Sequence, residues 1–369
     1  MIDPRLTNLA KNLVNYSVKV KKGDNVMISV SETEIDLATE LVKEVYKAGG
    51  NPFTEIIDAK LSRVVAMETS KERLETVLKH ELAKMKDMQC FIGVRGGKNS
   101  FEMSDVPNEK KELISKILDP VQRQRVDKTR WVVLRYPNES MSQLAGMSTE
   151  KFTNYYFDVC GLDYAKMSKS MDGLADLMKK TDKVRIVSPG TDLTFSIKGI
   201  GVTKCDGGCN IPDGEVYTAP VKDSVNGVIQ YNCPSIHGGI KHENVRLVFK
   251  NGKIVEFSGS HPDKLKSIFD TDEGARFVGE FAIGVNPNIH DPIGDILFDE
   301  KITGSIHFTP GASYEDAGNG NQSAIHWDLV LIQTPAYGGG QIYFDDVLIR
   351  DNGRFVIKEL FPLNPENLK

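Results

Sequence analysis

At 369 residues, 40% hydrophobic and 26% charged, the chain is too long for one ordinary core and has the make-up of a soluble globular protein with two domains. Acidic residues outnumber basic ones, 51 to 46, for a net charge of −5, and no dense basic block tracks a phosphate backbone, which argues against nucleic acid as a partner. No apolar run reaches membrane-spanning length, and MIDPRLTNLAKNL lacks the basic start and apolar core of a secretory signal, so no membrane association is expected and the expected location is the cytoplasm.

The first half alternates strand and helix. NVMISV (25–30) reads as a strand, and EIDLATELVKEVYKAGG as an amphipathic helix closed by two glycines. FTEII (53–57) is a second strand, followed by helix through Lys86; CFIGV (90–94) is a third, followed by helix from about Asn108 to Gln124; RWVVLRY (130–136) is a fourth. Strands separated by amphipathic helices predict a largely parallel α/β sheet. No nucleotide motif accompanies it. The turn SVSETEID has no glycine to admit a pyrophosphate, GVRGGKNS (93–100) has the wrong glycine spacing, and no G-x-x-x-x-G-K-[ST] occurs.

Helices around 150–160 and 163–180 lead to KVRIVS (183–188), and from there the pattern changes. DLTFSIKG, NVRLVFKNGKIVEFSG, SIHFTPG, IHWDLVLIQ and GQIYFDDVLIRDNGRFVI are short strands, and KNGK and DNGR are hairpin turns. One helix interrupts from His261 to about Asp270, and a second is expected from Asp272. The second half is thus an α+β domain on mainly antiparallel sheet, with domains expected at 1–187 and 188–369. Five cysteines scattered through the chain fit reduced thiols; Cys205 and Cys209 in KCDGGCN lack the partners of a zinc knuckle and read as a glycine-containing turn.

Of seven histidines, six follow residue 230. In SAIHWDLV (323–330), strand alternation puts His326 and Asp328 on one face and Trp327 and Leu329 on the other. An isolated H-x-D is most often a hydrogen-bonded core pair; two metal ligands is the sharper reading, and it needs further ligands. His307 lies on the strand GSIHFTPG. Glu215 follows the turn PDG at the start of a strand, and Glu280 sits in the apolar stretch RFVGEFAIG, where a lone carboxylate is strongly unfavourable. Each has a bland reading of its own: an exposed turn acid, a buried salt bridge, a core histidine. Together, three carboxylates and two histidines are the inventory of a dinuclear hydrolase.

Read in order, NIPDGEVYTAP, GEFAIGVNPNI, DEKITGSIHFTPGASY and IHWDLV resemble the motif series of the metallo-aminopeptidase family typified by aminopeptidases T and S, the thermophilic metalloproteases. KTRWVVLRYP (128–137) and FDVCGLDYAKM (157–167) extend the resemblance over most of the chain. It implies Glu215, Glu280, His307, His326 and Asp328 as ligands of two divalent metal ions (zinc, cobalt, manganese or magnesium). It implies Tyr314 as an active-site hydroxyl and Glu300 as a ligand or neighbouring carboxylate; a glutamate not fully occupied by metal would act as general base, with Glu280 or Glu300 the candidates. Small peptides are the implied substrates and a homodimer the implied assembly. The chain is shorter than typical members, with His307 and His326 only 19 positions apart, so the intervening loop is expected to alter substrate preference more than the metal site. The rivals are another dinuclear hydrolase, acting on a phosphoester or a non-peptide amide, and a non-enzymatic small-molecule binding protein. Phosphoester chemistry usually adds a basic clamp, and no basic residue adjoins His307, His326 or Asp328 in sequence. No G-x-S-x-G elbow supports a serine hydrolase.

Overall fold

The apolar run at 25–30 becomes the strand Asn25–Ser31, whose five central residues are buried, as a strand covered on both faces requires. In the computed structural model, which describes residues 3–31, 35–99, 101–237 and 239–369, it lies inside a five-stranded sheet. The order is Asn51–Ile57, Asn25–Ser31, Cys90–Arg95, Arg130–Arg135 and Asn210–Ile211, and every pairing is parallel. The helix Ile35–Lys47 buries Leu37, Leu41 and Val45, one stripe at helical spacing. The turn read for a phosphate loop falls partly on residues 32–34, and the 93–100 loop ends on Ser100; these positions lie outside the described residues.

The chain divides into two units by internal contact: Met1–Gly161 with Gly207–Ile211, and Leu162–Asp206 with Pro212–Lys369. The sequence pattern changes near Val187, whereas this division falls after Gly161. The helix Tyr164–Lys180 accounts for the difference, because it packs on the segment Lys358–Leu363 and on the strands Thr203–Cys205 and Glu215–Thr218 of the second unit.

The second unit holds two larger antiparallel sheets. One has eight strands, and its hairpins turn on Asn251–Gly252 and Asn352–Gly353, all four residues at positive φ as two-residue hairpins demand. The other runs in the order Val330–Ile332, Ser305–Pro310, Val278–Gly284, Glu215–Thr218 and Thr203–Cys205. Phe281 and Phe308 meet Phe195 of the larger sheet, each at a ring-centroid distance of 5.0 Å. Apolar side chains thus fill the space between the sheets.

Two sequence expectations are corrected. No helix starts at Asp272: a three-residue 3-10 turn, Gly274–Arg276, leads straight into Val278–Gly284. The Asp272 carboxylate instead accepts from the backbone amides of Ala275 and Ala324 and from the Ser323 hydroxyl. The stretch 323–329 is not a regular strand either. It makes one isolated bridge, His326 to Gly311, before the strand Val330–Ile332 begins. A Cβ on Gly311 would stand 2.1 Å from the Ile325 carbonyl, so only glycine allows this approach.

Candidate metal centre

The five-stranded sheet of the second unit sorts its side chains by face. Ala282 lies opposite both His307 and Tyr217, Glu280 opposite Thr309, and Glu215 opposite Gly284 and Cys205. Directly opposed residues point the same way, and so do residues two apart on one strand. Glu280, His307, Thr309, Glu215, Tyr217 and Cys205 therefore share a face, while Val216, Phe281, Ile283, Ile306 and Phe308 take the other. A Cβ on Gly284 would lie 2.4 Å from the Ile302 carbonyl, so the sheet is closely covered there.

Glu215 and Glu280 are each only 4% exposed and His307 1%, so each charge there needs a partner or a bound cation. His307 Nε2 stands 3.0 Å from Glu280 Oε1 and 3.6 Å from Glu215 Oε2. His326 Nε2 stands 3.3 Å from both Glu280 Oε2 and Asp328 Oδ1. The two oxygens of Glu280 thus face different histidines. The expected pairing of His326 with Asp328 on one side holds without a strand, since Trp327 turns away against the His237 and His242 rings, at 4.9 and 5.1 Å. His326 Nδ1 lies 2.8 Å from the Ala312 carbonyl; a proton on Nδ1 donates to it, which fixes the ring with Nε2 facing the acids. Thr309 Oγ1 donates to Asp328 Oδ1 at 2.7 Å and fixes that carboxylate.

The electrostatics are those of a site short of positive charge. Burial works against a charged His307, yet Glu215 and Glu280 outweigh it and raise the imidazole to about 10. For His326, burial is again overcome, here by Asp328 and Glu280, and the value rises to about 11. Burial disfavours the Glu280 and Asp328 anions, but the two histidines hold both carboxyls below their ordinary values. Burial lifts Glu300 to about 8 despite Lys301. Each imidazolium stands where the acids call for a cation.

Ligand atoms from Glu215, Glu280 and His307 lie within 4.8 Å of one another, as do those from Glu280, His326 and Asp328 and those from Glu300, His307 and Asp328. Glu215 Oε2 is buried and has no hydrogen-bond partner, an orphan that an ion would satisfy. Carboxylates and imidazoles are a fitting donor set for zinc, cobalt or manganese. All five expected ligands, and Glu300, therefore come together. Tyr314 is at the rim, half-exposed, its ring 4.8 Å from that of His326.

Three participants were not read from the sequence. Asp213, taken only as a turn residue in PDGE, and Cys205, taken as part of a turn, form another trio with Glu215; Cys205 ends a strand instead. Lys301, 1% exposed, stands 2.5 Å from Glu215 Oε1 and 2.7 Å from Glu300 Oε1. The reading that no basic residue adjoins the histidines held only along the chain, because folding brings Lys301 to the same acids. Its place directly after Glu300 was the available signal.

Two acid–imidazole trios that share Glu280 are a donor set of the kind metal-dependent hydrolases use. A profile of the thermophilic metalloprotease family (M29) matches residues 2–355, and the chain belongs to that family. It is therefore a peptidase, and membership implies a divalent metal. Aminopeptidase PepS of Streptococcus thermophilus is 24% identical over 93% of this chain and 94% of its own length. The structure of AmpT from Thermus thermophilus superposes with a TM-score of 0.79 at 20% identity, covering 97% of this chain and 100% of that one. 2,5-Dihydroxypyridine dioxygenase from Pseudomonas putida shares the fold alone, with a TM-score of 0.60 at 14% identity over 96% of this chain and 98% of that one. Among the described residues no helix is long and apolar enough to cross a membrane.

Proposed function

We propose that the protein is an aminopeptidase that removes N-terminal residues from small peptides with two divalent ions. The carrying observation is the division of Glu280 between the His307 and His326 trios. Glu215, Glu280 and His307 would hold one ion, and Glu280, His326 and Asp328 the other. Bound there, the ions supply Lewis-acid polarisation of the peptide carbonyl and a nucleophilic water at neutral pH.

The chain's own residues do the rest. Glu280, which faces both His307 and His326, would be the ligand the two trios share. Glu300 gives Oε1 to Lys301, which leaves Oε2 to take the proton of the attacking water and pass it to the leaving amine. Tyr314, beside His326 at the rim, donates its hydroxyl to the developing oxyanion. The free α-amino group of the substrate binds the acid-rich centre, which enforces cleavage from the N-terminus. Within this reading the protein acts as a homodimer. The phosphoester alternative gains no free clamp, since Lys301 is engaged by carboxylates.

A panel of aminoacyl arylamides and free or N-acetylated peptides tests the reading. Free amines are cut, acetylated versions resist, chelator dialysis abolishes turnover and added cobalt, zinc or manganese restores it. Equal rates on free and acetylated peptides contradict an aminopeptidase; full turnover in metal-free protein contradicts the metal.

A further inference from the structure

We propose that Lys301 is a built-in cation, filling the first of four linked acid pockets, that of Cys205, Asp213 and Glu215, so that the centre stops at two ions and Glu215 offers them only one oxygen. The inference rests on the two-ion reading above. The pockets form a chain. Cys205, Asp213 and Glu215 make one trio, Glu215, Glu280 and His307 the next, and Glu280, His326 and Asp328 the third, with Glu300, His307 and Asp328 a fourth that shares His307 and Asp328 with them. Along the first three, neighbouring trios share one glutamate each, first Glu215 and then Glu280.

Among the described residues, Lys301 gives the first trio a resident positive charge that is neither an imidazole nor exchangeable, and through Glu300 it also reaches the fourth. The Lys301 ammonium lies 2.5 Å from Glu215 Oε1, 2.7 Å from Glu300 Oε1 and 3.6 Å from Asp213 Oδ1. An ammonium has three donors and no acceptor, and here it faces three carboxylates. A charge that is 1% exposed persists only when paired in this way.

The consequence for Glu215 is visible in its two oxygens. Oε1 is taken by Lys301, while Oε2 is buried without a hydrogen-bond partner, 3.6 Å from His307 Nε2. The lysine therefore turns one oxygen toward the next pocket and withholds the other. Remove the ammonium, and Cys205, which gives up its thiol proton on binding a metal, forms with two carboxylates a donor set suited to zinc or cobalt. Glu215 is then free to bridge in the way Glu280 does. Lys301 is a positioning residue, since it acts through Glu215 and Glu300.

The test uses the full-length protein loaded with cobalt, with ion content from elemental analysis and thiolate ligation from the sulfur-to-cobalt charge-transfer band. The natural protein is expected to hold two ions and show no such band; a natural protein without metal overturns the two-ion reading itself. Lys301→Met is expected to hold a third ion and to gain the band, which Cys205→Ser in the same background removes. Lys301→Gln serves where the methionine variant does not fold, with the same expectation. Two ions and no band in these variants would overturn the proposal. Cys205→Ala in the otherwise natural chain keeps it testable without touching the lysine: ion content is expected to be unchanged, and loss of an ion would show that the first pocket already holds metal.

Discussion

The two faces of the sheet that runs from Val330–Ile332 to Thr203–Cys205 are built from the same strands and have opposite chemistry. Phe281 and Phe308 point to one side and meet Phe195 in an apolar layer. Their neighbours Glu280 and His307 point to the other and stand 3.0 Å apart. Both sides are buried to a few per cent, so burial alone does not separate stability from chemistry. What separates them is whether the buried groups satisfy one another. The aromatic face is complete, whereas the acid face keeps an orphan oxygen on Glu215 and imidazoles whose neighbouring acids favour a positive charge there. Substituting one face should therefore change catalysis and the other should change stability.

The largest effect is expected at Glu280. Glu280→Gln keeps the shape but removes the charge shared by both trios, and should lower kcat by roughly a thousandfold or more while circular dichroism stays native. Loss of fold instead would make Glu280 a structural acid. Its neighbour Phe308, across the sheet, should behave in the opposite way: Phe308→Ala is expected to cost about 3–5 kcal/mol of stability in denaturant titration. Turnover per folded molecule should be nearly unchanged, and a catalytic loss without destabilisation would erase the distinction between faces. Tyr314→Phe comes next. It should leave the melting temperature alone and reduce kcat about a hundredfold, the scale of one oxyanion donor; an unchanged kcat would remove the phenol from the reaction.

The smallest effect concerns the segment 325–329, which repeats the two-faced pattern. Behind His326 and Asp328, Trp327 packs on His242, whose side chain is buried. Burial, and then His261 nearby, hold His242 below the ordinary histidine value, although the Ser260 contact works the other way; burial and then His242 do the same to His237. The unfolded chain therefore takes up these protons first as pH falls below about 6.5. Stability present above that value is lost on acidification. His242→Phe should lessen the drop in melting temperature between about pH 7.5 and pH 5.5, and an unaltered drop would assign the acid sensitivity elsewhere.

Much of this was legible in the sequence, for reasons specific to the segments concerned. NVMISV and CFIGV announce buried parallel strands because such strands read as continuous apolar runs. KNGK and DNGR announce hairpins because two successive residues must adopt positive φ. His307 and Glu280 stood out as ionisable groups inside apolar strands, and the ordered motifs carried the family. What stayed hidden depends on folding that local pattern does not encode. DEGARFVGEFAIG looks helical at its start, but the demand of Val278–Gly284 for a place in the sheet overrides that preference. Lys301 looks like one more surface lysine until the chain brings it against Glu215, far away in sequence and 2.5 Å away in space. Asp213 was concealed in the same way by its turn.

The central claim is that the acid face holds metal, and Asp328→Asn tests it most directly. The change removes a charge at almost constant volume, and the amide oxygen can still accept the Thr309 hydroxyl that now reaches Asp328 at 2.7 Å. Elemental analysis of the purified natural protein and this variant, each checked for fold by circular dichroism, should find two divalent ions in the first. The variant should be folded, depleted in metal and nearly inactive. A variant with natural metal content and turnover, or a natural protein fully active without metal, would contradict the account.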